Sequence, residues 1–364
     1  MPAELFTKPS NSKWVLSYYE FIDLGAEKMT KKIMVLAVAI LCLAGLVKSE
    51  SAFSLEITPF DSFNQSPLVA IYGLPGPGNF LLLPEGRTEA ALNTVLSSNH
   101  TEHNEVREQI ILDGETTRFT LGVRHAFSRR WEVGLKLPYI NHSGGFLDSF
   151  IENYHQAFGF PQGGRDQAPR NRLLYRYRRD GIERLRLGAS DSGLGDLRVT
   201  TAWQLHEKRA DHQGITANFG LKLPTGESDQ LRGSGSTDIS LWFAGGTGGR
   251  LAEGKWASYG SAGLLFLTEG DVLPEQQRTW VGFGSLGLGW MPFTGLSLKV
   301  QADAHSSFFR DSDLKEIATP AVQLILGGTL SFSATTTLDI GVAEDLSVNT
   351  APDVSFYLSL RQGF

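Results

Sequence analysis

The sequence predicts a transmembrane antiparallel β-barrel of about twelve strands, with a short helix in one long extracellular loop. Three observations predict it. Apolar and polar residues change places at almost every step after Thr88, the links between the resulting strands alternate short and long, and the last strand, DVSFYLSLRQGF, ends on an aromatic residue. Strict alternation gives a strand one apolar and one polar face. Bacterial barrels join an even number of such strands by short periplasmic turns and longer extracellular loops in strict rotation.

Three stretches precede the strands. Residues 1–28 read as an N-terminal extension ahead of a true start at Met29. Residues 29–52 place Lys31 and Lys32 before an apolar run and the small, polar KSESA, the layout of a secretory signal peptide. The run, roughly 15 residues, is short of the about 20 that a spanning helix needs. The single cysteine, Cys42, lies inside it, so no disulfide or thiolate chemistry is expected of the mature chain. Residues 53–87 include FNQSPLVAIYGLPGPGNFLLLPEGR, which is apolar, rich in Pro and Gly, and without sustained alternation. That segment reads as a plug folded into the barrel or as a periplasmic tether; Leu81, Leu82 and Leu83, unfavourable in water, favour the plug.

The barrel is assigned to residues 88–364. TEAALNTVLS opens it at Thr88, and the run from about Arg107 to Phe127 is one long strand. In RFTLGVRHAF the apolar parity holds Phe119, Leu121, Val123 and Phe127; after SRR it continues through Trp131, Val133, Leu135, Leu137 and Tyr139. DLRVTTAWQL and ITANFGLKLP form a second hairpin, and in both hairpins GLKLP closes the second strand at a proline, which has no N–H for the ladder. DISLWFAGG, ASYGSAGLLF, TWVGFGSLGLGW, LSLKVQADAH, AVQLILGGTLSF, TLDIGVA and VSFYLSLRQGF complete the set.

The links test this independently. SRR, HEKRADHQ, GGRLAEG, PFTG and SATT fall on the periplasmic side. A segment near Ser98 to Val106, a long excursion over 141–194, PTGESDQLRGSGS, TEGDVLPEQQ, SSFFRDSDLKEIATP and SVNTAP fall outside. Phe127, Trp131, Trp256, Trp290, Phe293, Phe332 and Phe364 gather at periplasmic strand ends, where an interface girdle belongs. A soluble sandwich could alternate too, but it predicts neither the loop asymmetry nor the aromatic terminus.

With the apolar parity facing lipid, the lumen receives Arg118, Arg124, Glu132, Lys136, Arg198, Lys222, Asp238, Lys299, Asp303, Asp339 and Arg361. The excess of cations favours anionic solutes in an open pore; the plainer reading pairs charges across strands, as Arg124 with Glu132. About eight strands leave an interior filled by side chains and 16 or more leave a channel. A twelve-stranded lumen is therefore expected to be constricted from inside.

The long excursion carries GGFLDSFIENYHQAFGFP, whose apolar spacing predicts a helix over 146–158, stopped by Gly159 and Pro161. Its polar face holds Asp148, Glu152 and His155. Glu-x-x-His can offer two metal ligands, but a solvated face is the plainer reading, and no metal or cofactor is expected. Next come Arg170, Arg172, Arg176, Arg178 and Arg179, with a hairpin about Asp180 and Gly181. Arg suits phosphate through its planar fork, so this cluster is expected to meet lipopolysaccharide. Finally, NHSGG places His142 beside Ser143 near the rim, raising a lipid hydrolase; neighbours on a strand point to opposite faces, which weighs against a working dyad.

The segments NQSPL, IYGLP, WEVGLKLPYI, HSGGFLDSFIENYHQAFGFP and the Arg-rich stretch resemble a family of bacterial outer-membrane proteins known as a domain of unknown function. The GLKLP hairpins are similar, at class level, to those of barrels for uptake of aromatic or other hydrophobic compounds. An alternating last strand ending in Phe364 also resembles the signal read by barrel-assembly machinery. These likenesses imply the outer membrane of a Gram-negative bacterium, with membrane lipid, the assembly machinery and a small solute as partners. The chain is acidic, with a formal net charge of -6, and no nucleic-acid partner is expected. The expected function is a narrow or plugged channel for small molecules, gated by the N-terminal segment and the loop helix. A rim lipid hydrolase, or a structural or adhesive barrel, are the alternatives.

Overall fold

The computed structural model describes residues 56–149, 151–153, 169–251, 254–346 and 350–364. The extension and signal segment assigned to 1–52 lie outside the described residues, as does His155. The chain folds into strands β1 (Thr88–Asn104), β2 (Glu108–Ser128) and β3 (Trp131–Ser143), followed in the long excursion by β4 (Leu174–Arg179), β5 (Ile182–Leu187) and β6 (Asp191–Leu194). It continues with β7 (Leu197–Lys208), β8 (Gln213–Leu223), β9 (Asp238–Leu251), β10 (Gly254–Leu267), β11 (Trp280–Phe293) and β12 (Leu296–His305). A one-turn helix α1 (Lys315–Ala318) precedes β13 (Ala321–Ser331), β14 (Thr336–Asp345) and β15 (Val354–Gly363).

Among the described residues, twelve of these strands close into a barrel: β1 to β3 and β7 to β15 pair antiparallel in sequence order, and β15 returns to β1. The seam runs from Glu89 opposite Gly363 to Ser98 opposite Val354. Closure leaves no row of unpaired N–H and C=O groups for lipid to meet. Tight connections on one side support the closure; at the β11–β12 turn Gly295 takes φ +93°, a left-handed conformation open to glycine.

The two faces sort as the alternation requires. Phe119, Leu121, Val123, Leu135, Phe219, Leu241, Leu288, Leu358 and Leu360 stand exposed on the outer surface. Their partners in alternation, among them Arg118, Glu132, Lys222, Ser285, Lys299, Gln301 and Ser359, are buried inside. This polarity is inverted relative to a soluble protein and is stable only if the outside solvent is hydrocarbon. The band ends in aromatics: Phe127 stacks on Trp131 with ring centroids 5.0 Å apart, and Trp256 pairs across strands with Trp290.

Three expected boundaries move. β1 runs to Asn104 rather than ending near Ser98, because its upper part pairs with β2 as far as Asn104 opposite Gln109. There the ladder stands above the lipid band and both faces carry polar residues, so the alternation fades. Pro138 does not end β3: the ladder with β2 continues to Ser143, while the ladder to β7 stops at Lys136. The missing N–H thus interrupts pairing on one side alone. Lastly, β6 and α1 add short elements inside segments read as loops.

The outer end is closed by an apolar core. The bend Leu68–Tyr72 packs with Ile110 and Leu112 of β2, Tyr175 and Tyr177 of β4, and Phe308, Phe309 and Ile317 of the loop carrying α1. β4 and β5 reach it because β2 extends upward, its residues Glu108–Asp113 pairing with β4. Asp180 and Gly181, at φ +51° and +76°, turn the β4–β5 hairpin as the sequence predicts.

Candidate functional site

Residues 56–87 make their hydrogen bonds to inward-facing side chains of the wall, rising along β12 and returning beside β9, β8, β7 and β3. On the rising limb the spacing is regular. Thr58 meets Lys299, Phe60 meets Gln301, Ser62 meets Asp303 and Asn64 meets His305, each pair 241 residues apart in sequence. Every second residue of the limb therefore faces every second residue of β12. Gln301 accepts from Phe60 N at 2.9 Å and donates to Phe60 O at 3.1 Å, so one side-chain amide serves both backbone groups.

At the top the chain turns through Ser66–Tyr72, and Tyr72 stacks on Phe308 at 5.0 Å. On the descending limb Gly73 N donates to Asp238 at 2.7 Å, and Trp242 Nε1 donates to Pro77 O at 2.9 Å. Thr216 Oγ1 donates to Asn79 O at 2.8 Å; lower still, Gln204 repeats the double role, donating to Phe80 O and accepting from Leu82 N, both at 2.9 Å. Leu83 N ends the series on Glu132 at 3.0 Å. Gly78 is required here: its φ is +79°, and a Cβ would lie 2.9 Å from the Trp242 ring nitrogen.

The charged residues expected in the lumen divide into two groups. Arg124 bridges Glu89 at 3.0 Å and Glu132 at 3.2 Å, and Lys136 holds Asp61 of the rising limb at 2.5 Å. Lys222 meets Asp196 at 2.6 Å and Asp238 at 3.2 Å; Lys299 and Arg361 share Asp339 at 3.0 and 3.2 Å. Asp303 is held by Ser62 and Gln301. Arg118 and Arg198 differ. Among the described residues neither forms an ion pair, and both donate instead to backbone carbonyls of the bend, sharing Ala70 O at 3.1 and 3.3 Å. Beside them a cavity opens between the two limbs and the wall, lined among others by Asp61, Phe63, Asn93, Lys136 and Tyr357.

The excursion places its residues differently from a solvated face. Asp148 and Glu152 are buried, at 7% and 9% exposure. Asp148 accepts from Asn171 N at 2.7 Å and Glu152 ion-pairs with Arg170. Glu115 accepts from Phe146 N and Leu147 N, which fixes the start of the helical residues 148–149 and 151–153. In the arginine cluster, Arg172 turns inward to Asp113 at 2.5 Å and Arg179 lies 3.8 Å from Glu108, whereas Arg178 donates to Gly181 O and Arg176 stands opposite Arg186 of β5. His142 is buried; its Nε2 is 3.2 Å from Leu231 O and so carries the proton, leaving Nδ1 to accept from Thr116 Oγ1 at 2.9 Å. Phe364 points its ring outward while its N–H donates to Thr88 O at 2.8 Å.

Gln204, Thr216, Trp242 and Gln301, which grip the inner segment, were not singled out among the lumen candidates. All but Trp242 are polar residues on the lumen parity, and Gln301 falls between Lys299 and Asp303; uncharged, they carried no distinguishing mark in the sequence.

A closed twelve-stranded barrel with an apolar outer band and a polar interior is an outer-membrane β-barrel, set in lipid on all sides. The chain belongs to the family described as protein of unknown function (DUF3187), whose model matches residues 33–364. Among solved structures it is similar to the COG4313 outer membrane channel from Pseudomonas putida F1, at 15% identity and a TM-score of 0.52, over 79% of this chain and 99% of that one. The toluene transporter TbuX of Ralstonia pickettii aligns at 10% identity and a TM-score of 0.34, over 86% of this chain and 97% of that one. At these identities the likeness concerns the fold. No curated protein matches the chain.

Proposed function

We propose that the protein is a narrow outer-membrane channel for small molecules, occluded and gated by residues 56–87 acting as a lumen plug. One observation carries this reading: a regular series of polar contacts fastens the two limbs to the wall along their length, and apolar packing of the limbs is confined to two small clusters, Ile57, Phe80 and Leu81 against Ala257, Tyr259 and Met291, and Phe60 against Val95, Ile325, Ala343 and Tyr357. Each neutral hydrogen bond of the series contributes only about 0.5–1.5 kcal/mol net, and those to charged wall residues about 1.5–3 kcal/mol, because water can replace them. A limb can therefore leave the wall and be rehydrated, while the apolar bend at Leu68–Tyr72 stays anchored under the outer loops. The loop helix whose described residues begin at Asp148 would govern the outer approach.

Single-channel conductance of the refolded protein in a planar bilayer, with and without residues 56–87, tests the proposal. The full chain is expected to show small or rare steps and the deletion variant larger, sustained ones. A silent bilayer from both forms, each shown to be folded by its heat-modifiable gel mobility, would sink it. Two observations support transport over rim hydrolysis: His142 is buried, and both its ring nitrogens are engaged by Thr116 and Leu231.

A further inference from the structure

Of the seven cations expected in the lumen, five have carboxylate partners and two, Arg118 and Arg198, have none among the described residues. Arg118 is 4% exposed and gives its Nε to Gln65 Oε1 and an NH2 to Ala70 O. Arg198 spends its hydrogen bonds on Leu74, Ala70 and Tyr72 carbonyls, and its buried Nε has no acceptor. Both guanidinium carbons lie over the Phe63 ring, at 5.7 and 4.7 Å from its centroid. A buried and a half-buried cation against one aromatic ring, with no carboxylate at ion-pair distance among the described residues, form an unusual arrangement, since buried charge is ordinarily paired.

We infer that Arg118, Arg198 and Phe63 form a recognition site for the carboxylate of a small organic anion with an apolar body, and that its binding loosens the top of the descending limb from the wall. Both arginines and Phe63 line the cavity between the limbs, together with Phe60 and Trp242, so the same space offers a charged end and an aromatic wall. A carboxylate accepts two parallel N–H bonds from a guanidinium, and its full negative charge and matching fork geometry make it a stronger acceptor than a neutral carbonyl. It would thus outcompete Ala70 O, Leu74 O and Tyr72 O for the same donors. Those carbonyls are the ones by which the wall holds the top of the descending limb. Binding and release are then one event. The release step rests on the channel reading above; the binding step does not.

The test is calorimetric titration of the full-length protein in detergent with benzoate, and with benzyl alcohol as the uncharged analogue. Benzoate is expected to bind saturably and benzyl alcohol at least tenfold more weakly. Arg118→Gln and Arg198→Gln are each expected to weaken benzoate at least tenfold, whereas Arg198→Lys, which keeps the charge and loses the fork, falls between. Hydrogen exchange of residues 70–74 should rise with benzoate in the native protein and stay unchanged in Arg198→Gln. Equal binding of the two probes, no binding of benzoate, or binding indifferent to both substitutions would overturn the inference, and the first two need no variant. Benzoate binding with a silent bilayer would leave the site standing and remove the channel; conductance without benzoate binding would do the reverse.

Discussion

At the scale of single residues, the inner segment is held by side chains that imitate a neighbouring strand. Gln301 offers Phe60 both a donor and an acceptor, and Gln204 does the same for Phe80 and Leu82. Replacing Gln301 by Leu keeps the bulk and leaves the buried Phe60 N–H and C=O without partners. An unsatisfied buried group costs about 1–3 kcal/mol, so Gln301→Leu is expected to loosen the rising limb and raise open probability in a bilayer roughly tenfold or more. Unchanged gating would mean the limb is not the gate. Lys299 and Asp303 were legible as lumen residues from parity and charge, yet Gln301 between them was not. An amide becomes a grip only when a backbone lies within reach, and the strand sequence carries no sign of that backbone.

At the scale of elements, lipid and water write different patterns. Lipid forces alternation on β2, β3, β8 and β15, and their outer faces were readable for that reason. Above the lipid the constraint lapses, and the upper part of β1, with β6 and α1, was not readable. Strand β11 offers a direct check: Leu288 lies on the outer face, and Leu288→Arg is expected to destabilise the refolded barrel by about 2–4 kcal/mol if it sits near the bilayer midplane, as read from urea unfolding in vesicles. The outer cap is an element of another kind. Glu108, at the top of β2 above the lipid band, accepts from Tyr177 Oη, from Ser312 Oγ at 2.8 Å and from Asp313 N at 2.7 Å. Burial raises its carboxyl pKa, but these hydrogen bonds outweigh burial and the net displacement is downward. A lowered folded-state value means the carboxylate supports the cap above the ordinary Glu range and loses that support as pH falls through the lowered value. The near-ultraviolet circular dichroism of the cap tyrosines is therefore expected to hold steady from neutral pH down to about 4 and to fade below it. Glu108→Gln should remove that component of the acid transition and weaken the signal at neutral pH.

At the scale of the whole molecule, everything depends on the barrel being closed between its first and last strands. Ser97 and Ser355 stand directly opposite on β1 and β15, and their hydroxyl oxygens are 2.8 Å apart inside the lumen. Below them Ser359 bonds to Asn93, and Phe364 N reaches Thr88 O, so the seam is paired from mid-strand to the periplasmic rim. A one-residue slip of β15 would turn Ser355, Tyr357 and Ser359 toward lipid and bring Leu358 and Leu360 into the lumen. The register is therefore fixed by the solvent outside as much as by the ladder. A Ser97→Cys, Ser355→Cys double variant in a Cys42→Ser background is expected to form a disulfide on mild oxidation, because two side chains already in contact across a strand pair have the reach a disulfide requires. The linked protein should keep a compact, fast gel mobility after boiling and lose it on adding reductant. A Ser97→Cys, Phe356→Cys pair, one residue out of register and facing opposite ways, should not link. If the second pair links and the first does not, the seam is misplaced by one residue. The faces of β15, and with them the burial of Tyr357 and Arg361 in the lumen, would then be reversed.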